Sequence, residues 1–253
     1  MHVNLNVDEP AVESEASNTT NNPRNPVTTL TTDSSIQSVK GHKNYITTLR
    51  TSLHTPKEMS TVITEIEGDL FKDAPDNSVL IHACNCQGSW GKGIAKAFRE
   101  NYPEAYRIFR SHCQKYLTTP KNEGQGARTL RIPEGTTLLI PPQEKDFNPR
   151  GATGGRKKKQ WIACLFTSWH YGPRNRSPPN VILANTELAV ADLKRQLEEM
   201  KGSTTEGAQQ VDLPGELWGC RFNAGLFAVE WGRTKKVLED AELPMTIVKL
   251  AGE

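Results

Sequence analysis

The chain has few apolar residues for its length, since only 36% of its 253 residues are hydrophobic. This share is lower than in most globular domains, whereas the charged share of 24% is ordinary, so we infer a normal domain diluted by polar segments. Positive and negative charges nearly cancel, leaving a net charge of +2. A nucleic-acid-binding domain usually carries a strong basic excess, and we therefore do not expect nucleic acid as a partner.

Long apolar runs are also missing. No stretch approaches the roughly 18 consecutive apolar residues of a transmembrane helix, so we expect no membrane association. The first residues contain no apolar segment typical of a secretion signal, and the acidic residues Asp8, Glu9, Glu13 and Glu15 fit poorly with a mitochondrial presequence. We expect the chain to work in the cytoplasm, the nucleus or both.

Cysteine is scarce, and the five cysteines are Cys84, Cys86, Cys113, Cys164 and Cys220. An odd number without a secretion signal argues against a disulfide framework and for a reducing compartment. The single residue between the first two is too short a spacer for a zinc-binding or redox CxxC motif. We interpret the cysteines as core residues and expect neither a metal nor a cofactor.

Residues 1–60 are rich in Asn, Ser, Thr and Pro and contain only one aromatic residue, Tyr45. Such a segment buries too little apolar surface to offset the entropy of ordering, which predicts a disordered polar tail with at most a short helix at 42–53. A folded domain is predicted for 61–253, with polar insertions near 143–159 and 202–215. The basic first insertion is predicted to be a solvent-exposed hairpin, in preference to a phosphate- or nucleic-acid-binding loop.

Within the domain, short apolar runs alternate with segments of helical periodicity. The pattern predicts strands at 61–66, 78–83, 137–140, 161–166, 218–222 and 245–250, and helices at 94–102, 103–116, 181–201 and 234–241. This alternation indicates βαβ units and an α/β fold with a largely parallel sheet.

Three segments that follow predicted strands carry glycines and polar residues, namely 67–70, 85–95 and 223–231. Ligands of parallel α/β sheets bind at the carboxyl ends of the strands, where these segments are expected to lie. Glycines let the backbone approach a ligand and a helix N-terminus favours an anion, so the second segment indicates a phosphate site. Asn85 suits a ribose hydroxyl, although an Asn taken alone at this position is more typical of a turn. Neither a P-loop nor a dinucleotide motif is present.

Together these motifs resemble the macrodomain family, and most closely its yeast-type ADP-ribose 1''-phosphate phosphatase branch. The resemblance rests on LIHACNCQGSWGKGIA at 80–95, supported by ITEIEGDLF at 63–71, CLFTS at 164–168 and NAGLFAVEW at 223–231. It covers about 61–250, apart from the two insertions, and implies a three-layer α/β/α fold with a mixed, largely parallel central sheet. Lys92 interrupts the glycine triplet of the family.

The resemblance also implies roles for individual residues. Asp69 would accept a hydrogen bond from the adenine amino group, assisted by the Leu70 amide, and Asn85 would orient the distal ribose beside the reacting phosphate. Backbone amides of the two later loops would surround the pyrophosphate. The implied binding set is Gly68, Asp69, Leu70, Ala83, Cys84, Asn85, Trp90, Gly91, Lys92, Gly93, Ile94, Ala95, Asn223, Ala224, Gly225, Leu226, Phe227, Ala228 and Val229.

The activity implied is hydrolysis of ADP-ribose 1''-phosphate, a by-product of transfer-RNA splicing, to ADP-ribose and phosphate. Asn85 is the first catalytic candidate, and His170 is the second, as a general base that titrates near neutral pH. We interpret His82 as a core residue. Two alternatives remain: a non-catalytic reader of ADP-ribose or ADP-ribosylated proteins, and a hydrolase of ADP-ribosyl–protein bonds. The second is disfavoured because Ser168 and Phe227 occupy the positions of its catalytic lysine and aspartate.

Overall fold

The computed structural model describes residues 62–149, 157–202 and 213–249. The predicted tail and its short helix lie outside these ranges, as do 150–156 of the first insertion and 203–212 of the second. The described residues form strands β1 (Ile63–Glu67), β2 (Val79–Asn85), β3 (Asn122–Gln125), β4 (Arg128–Arg131), β5 (Thr137–Ile140), β6 (Trp161–Ser168), β7 (Leu217–Cys220) and β8 (Met245–Lys249). The helices are α1 (Leu70–Asp73), α2 (Gly93–Asn101), α3 (Pro103–Thr118), α4 (Glu144–Phe147), α5 (Pro179–Gly202) and α6 (Trp231–Asp240).

Six of the strands form one sheet in the order β1-β8-β7-β2-β6-β5. Neighbouring strands run parallel except for β5, which lies antiparallel to β6 at one edge. The predicted mixed, largely parallel sheet is thus confirmed. Because five strands point the same way, their carboxyl ends meet at one edge of the sheet, and the loops after β1, β2, β6 and β7 gather there.

Helices cover both faces of the sheet. Side chains of a strand alternate between the two faces, so β2 and β6 contribute to two separate cores. One core holds Leu80, Cys84, Ile162, Phe98 and Phe109, with the last two from α2 and α3. The other holds Val79, Ile81, Ala163, Leu193 and Leu238, with the last two from α5 and α6. These layers confirm the three-layer α/β/α fold that the resemblance implies.

The first insertion differs in part from the predicted exposed hairpin. Residues Glu144–Phe147 form α4, and Asp146 within it is buried. Its carboxylate accepts hydrogen bonds from the backbone N–H groups of Glu104 (2.9 Å) and Ala105 (3.0 Å). The first N–H groups of a helix have no partner within the helix, and an acidic side chain satisfies them well. This part of the insertion therefore packs as a cap on α3.

The β3–β4 hairpin and the single-turn helix α1 were also not predicted. Every residue of β3 is exposed, so its sequence has no apolar alternation to mark a strand. None of the helices in the described residues combines the length and the apolarity that crossing a bilayer requires.

Candidate functional site

A cleft of about 920 Å³ lies at the carboxyl edge of the sheet. It is lined by residues of all three predicted segments and by Ala83 at the end of β2. The predicted binding residues that line it are Asp69, Leu70, Ala83, Asn85, Gly91, Lys92, Gly93, Ile94, Ala95, Asn223, Gly225, Leu226 and Phe227. The fold thus brings together loops that are far apart in the sequence.

The N-terminus of α2 supplies one set of hydrogen-bond donors to this cleft. Gly93, Ile94 and Ala95 line the cleft, and their backbone N–H groups lie in the first turn, where a helix leaves its donors unpaired. Gly93 has a φ of +58°, which a glycine adopts without strain. Lys92 has an extended backbone with a φ of −145°, so its departure from the glycine triplet introduces no strain. The arrangement suits an anion.

The loop after β7 supplies a second set. Its third residue, Asn223, is buried with a φ of +66°, a conformation that Asn tolerates better than most residues. The Asn223 side chain accepts a hydrogen bond from Thr167 Oγ1 (2.9 Å) and donates one to Thr186 Oγ1 (3.0 Å). It therefore fixes the loop to β6 and α5. Within the described residues, no group accepts the N–H groups of the next three cleft residues, Gly225, Leu226 and Phe227.

Asn85 combines a turn-forming role with a position in the cleft. Its Oδ1 accepts hydrogen bonds from the backbone N–H groups of Gln87 (3.0 Å) and Ser89 (3.3 Å), and its Nδ2 donates to the Ser89 carbonyl (2.7 Å). An amide nitrogen has two N–H groups, so one donor remains for a ligand. The two interpretations of Asn85 are therefore compatible, because the bonds that shape the turn leave one donor, and the ligand-binding role stays a prediction.

Asp69 lies in the cleft at the start of α1. Its carboxylate caps the helix by accepting a hydrogen bond from Phe71 N (3.0 Å) and lies 2.8 Å from Lys72 Nζ. The hydrogen bond from Lys72 lowers the pKa of Asp69, which stays ionised as an acceptor at neutral pH. This geometry agrees with the implied role as an acceptor for the adenine amino group.

Six other residues of the predicted binding set do not line the cleft: Gly68, Cys84, Trp90, Ala224, Ala228 and Val229. Trp90 is fully buried and stacks on Phe109, with 4.8 Å between the ring centroids, so its side chain anchors the loop from the core. Cys84 is also buried, and burial raises the pKa of its thiol well above the ordinary value. This thiol is therefore not available as a nucleophile.

Neither histidine candidate lines the cleft. His170 Nδ1 accepts the N–H of Gly172 (3.0 Å) and the ring stacks on Tyr171, so the loop conformation uses this side chain. His82 is fully buried and stacks on Phe98, with 4.0 Å between the ring centroids. The core interpretation of His82 agrees with this packing, and the general-base role of His170 gains no support from its position.

One group of side chains has the composition of a metal site. His82, Cys84 and Cys164 place their ligand atoms within 4.8 Å of one another. All three lie in the buried core between β2, β6 and α2, away from the cleft. They could not present a metal ion to a ligand in the cleft, and the expectation of a metal-free site stays a prediction.

Sequence reasoning missed several lining residues: Phe71, Ser89, Ala97, Tyr171, Gly172, Pro173, Cys220, Arg221, Phe222 and Val248. Ser89 lies inside the predicted phosphate loop, and proximity to Asn85 could have identified it. The segment 171–173 follows β6, and the rule that ligands bind after parallel strands could have identified it too. Arg221 and Val248 carry no signal in the sequence, because only the strand order brings them to the site.

The chain is 52% identical over 208 residues to an ADP-ribose 1''-phosphate phosphatase of Aspergillus fumigatus, covering 78% of this chain and 98% of the relative. It is 47% identical over 250 residues to a protein of the same name from Ajellomyces capsulatus, and the alignment covers 76% of this chain and 98% of the relative. A third such protein, from Debaryomyces hansenii, is 40% identical over 186 residues. The alignment covers 70% of this chain and 92% of the relative. No family model matches the chain.

Among solved structures, the macrodomain of Mycobacterium tuberculosis DarG aligns with a TM-score of 0.48 and 21% identity, covering 74% of this chain and 96% of that one. Thermosipho africanus DarTG in complex with ADP-ribose aligns with the same TM-score of 0.48 and 20% identity, and the alignment covers 75% of this chain and 42% of that one.

Proposed function

Because the chain belongs to the ADP-ribose 1''-phosphate phosphatase family, we propose that it hydrolyses ADP-ribose 1''-phosphate to ADP-ribose and inorganic phosphate. The observation that carries the proposal is the convergence of two sets of unpaired backbone N–H groups and the Asn85 amide on one cleft. Such donors suit a substrate that carries a pyrophosphate and a terminal phosphate. Asp69, at another part of the same cleft, supplies the acceptor for an adenine amino group.

The reaction requires a water molecule to attack phosphorus in line with the bond to the anomeric oxygen of the distal ribose. The new bond forms from the water oxygen to phosphorus as the ester bond breaks, and the sugar oxygen receives the proton that the water loses. The transition state spreads negative charge over the phosphoryl oxygens, so most of the catalysis comes from positioning and from fixed hydrogen-bond donors. Asn85 would orient the ribose next to this phosphate.

The cleft offers few side chains for proton transfer. The part of its lining that the structure describes contains no histidine, and Asp69 is its only carboxylate. We therefore propose direct attack by water without a covalent intermediate on the enzyme. The phosphate ester carries negative charge of its own and needs little help from a general base when the transition state is loose.

The working compartment proposed is the cytoplasm or the nucleus. All five cysteines lie in described residues, and no disulfide joins them, which supports a reducing environment. The connection to transfer-RNA splicing and the binding of ADP-ribosylated proteins stay predictions of the resemblance.

The proposal is tested by measuring inorganic phosphate released from ADP-ribose 1''-phosphate by the purified full-length protein, with and without EDTA. We expect phosphate release in both conditions and slow release from ribose 1-phosphate, which has the same anomeric ester but lacks the adenine and the pyrophosphate. Binding of ADP-ribose by calorimetry, together with no phosphate release, would replace the phosphatase with a reader. Loss of release in EDTA would contradict the metal-free route.

A further inference from the structure

Leu226 and Phe227 are the central residues of a turn in the loop after β7. The turn is closed by a hydrogen bond from Ala228 N to Gly225 O at 3.0 Å. The peptide group between the two central residues of such a turn makes no hydrogen bond within the turn, and its orientation is what distinguishes the common turn types. A partner outside the turn can therefore decide which way this peptide group points.

Arg176, in the loop after β6, supplies that partner. Its Nη1 donates a hydrogen bond to the Leu226 carbonyl at 2.7 Å. The only cis peptide among the described residues lies between Ile132 and Pro133, so the peptide bond after Leu226 is trans. The C=O and N–H groups of a trans peptide point in opposite directions. The N–H group of Phe227 is therefore directed away from Arg176.

This N–H group is available to a ligand. Phe227 lines the cleft, whereas Arg176 does not. Within the described part of the chain, no group accepts the Phe227 N–H. The carbonyl of the peptide group thus has a protein partner outside the cleft lining, and the donor of the same peptide group has none.

Both residues are held in place. The backbone N–H of Arg176 donates to the Gly172 carbonyl at 2.7 Å, and the Phe227 side chain is buried in a cluster with Ile182 of α5. A hydrogen bond from a cation also polarises the carbonyl that accepts it, which strengthens the N–H of the same peptide group as a donor. The guanidinium thus acts on the direction and on the strength of this donor.

We infer that Arg176 is a positioning residue that orients and polarises the Phe227 N–H for the pyrophosphate of the substrate, without contacting the ligand itself. The inference rests on the proposed function, which brings a pyrophosphate to the unpaired N–H groups of this loop. A donor that is oriented before the ligand arrives binds it with a smaller loss of entropy.

Two substitutions in the full-length protein test this role. Arg176→Met removes the donor and the charge, and Arg176→Lys retains a charged donor. Arg174→Met is the matched control, because Arg174 is an exposed arginine of the same loop that does not line the cleft. Calorimetry measures the affinity of each protein for ADP-ribose at low and at high salt, and thermal unfolding shows whether each variant is folded.

The Phe227 N–H group can also be observed directly. The chain contains seven phenylalanines, so protein labelled with 15N-phenylalanine gives a small set of amide signals in a nitrogen–proton NMR spectrum. Phe227→Leu identifies the signal of interest by its loss. In the free protein, Arg176→Met should shift the Phe227 signal and Arg174→Met should not.

We expect Arg176→Met to weaken ADP-ribose binding about tenfold at both salt concentrations, and Arg176→Lys to retain part of the affinity. The KM for ADP-ribose 1''-phosphate should rise by a similar factor with little change in kcat, because the pyrophosphate is bound equally in the ground state and the transition state. Arg174→Met should have a small effect that disappears at high salt, since an exposed charge is screened by ions.

A loss of affinity that disappears at high salt, or that Arg174→Met shares, would show that only the charge matters and would overturn the role of Arg176. An unchanged Phe227 signal or unchanged affinity in Arg176→Met would do the same. A wild-type protein that binds no ADP-ribose would overturn both this inference and the proposed function. Binding without phosphate release would refute the phosphatase alone, because calorimetry and the amide spectrum still decide the role of Arg176.

Discussion

Gly93 lies against Leu226, so that a methyl group placed on Gly93 would come within 4.0 Å of Leu226 Cδ1. The two loops that carry the unpaired N–H groups are therefore direct neighbours. The Leu226 carbonyl also accepts a hydrogen bond from Arg176 Nη1 at 2.7 Å, which connects this loop to the one after β6. Ligand binding should depend on the backbone of this contact region more than on its side chains.

Alanine substitutions of Gly93 and Gly91 should distinguish the effect of backbone conformation on ADP-ribose binding from the effect of added side-chain volume. Gly93→Ala forces a left-handed φ on a residue with a Cβ, at a cost of about 1–2 kcal/mol. We expect a lower melting temperature or a shifted loop, and roughly tenfold weaker ADP-ribose binding by calorimetry. The control is Gly91→Ala in the same loop, where the nearest atom to an added Cβ is Ser89 Oγ at 3.4 Å. Equal effects of the two substitutions would contradict the argument.

Asn85 should contribute to turnover through its free N–H donor and not only through the turn that its side chain forms. Asn85→Asp retains the oxygen that accepts from Gln87 and Ser89, but it loses the bond that Nδ2 donates to the Ser89 carbonyl, removes the free N–H group and adds a negative charge beside the phosphate. We expect phosphate release to fall by a factor of about 10² to 10³, with a smaller change in melting temperature than in Asn85→Ala, which loses all three turn hydrogen bonds. The control is Asn101→Asp, at the far end of α2. Undiminished turnover in Asn85→Asp would remove the amide from the mechanism.

The sequence was sufficient to predict the layers and the loops at the site. β5 matches its predicted bounds, and the large helices and sheet strands agree within a few residues, because their apolar periodicity is strong. The β3 strand and α4 were missed because exposed or single-turn elements leave no such pattern. Gly91 to Ala95 could be assigned to the cleft because a glycine-rich loop before a helix has a direct physical meaning.

Side-chain directions at the site were harder to predict. Trp90 and Cys84 sit within the matching motif, yet both face the core, because the sequence of a loop does not show which residues turn inward. Arg221 was missed for a different reason. Its contact with Glu65 joins residues on strands separated by β8, and the order of strands in a sheet cannot be derived from one sequence.

Lys92 should contribute to substrate affinity through its charge. It is exposed, lines the cleft and precedes the N–H groups of α2. We expect Lys92→Ala to raise the KM for ADP-ribose 1''-phosphate about fivefold at low salt, and less at high salt, because exposed charges are screened by ions. Lys96→Ala is the control, since Lys96 is exposed on α2, one turn after Lys92, but does not line the cleft. A similar rise in KM in both variants would indicate that Lys92 acts only through the general electrostatic field of the protein and not through its position in the cleft.

Glu65 should make the stability of the fold depend on pH. The folded-state pKa of about 2 lies below the ordinary value of 4.5, so the ionised carboxylate stabilises the fold above about pH 5. This contribution is lost as the pH falls toward 2, because the unfolded chain then binds the proton more readily. Glu65→Gln, which also leaves Arg221 and Lys235 without a counter-charge, should lower the free energy of unfolding by up to about 3 kcal/mol near pH 7.

The measurement is urea unfolding of the wild type and the variant near pH 7, 4 and 3. The difference between them should shrink at each step, because below pH 4.5 the unfolded wild type binds a proton at Glu65 while the folded protein still holds the ionised carboxylate. Glu67→Gln is the matched control, because Glu67 lies on the same strand and pairs with Lys249 at 3.0 Å, yet its side chain is 63% exposed. An exposed pair contributes at most about 1 kcal/mol. A difference for Glu65→Gln that stays constant with pH would show that the carboxylate acts by packing and not by charge.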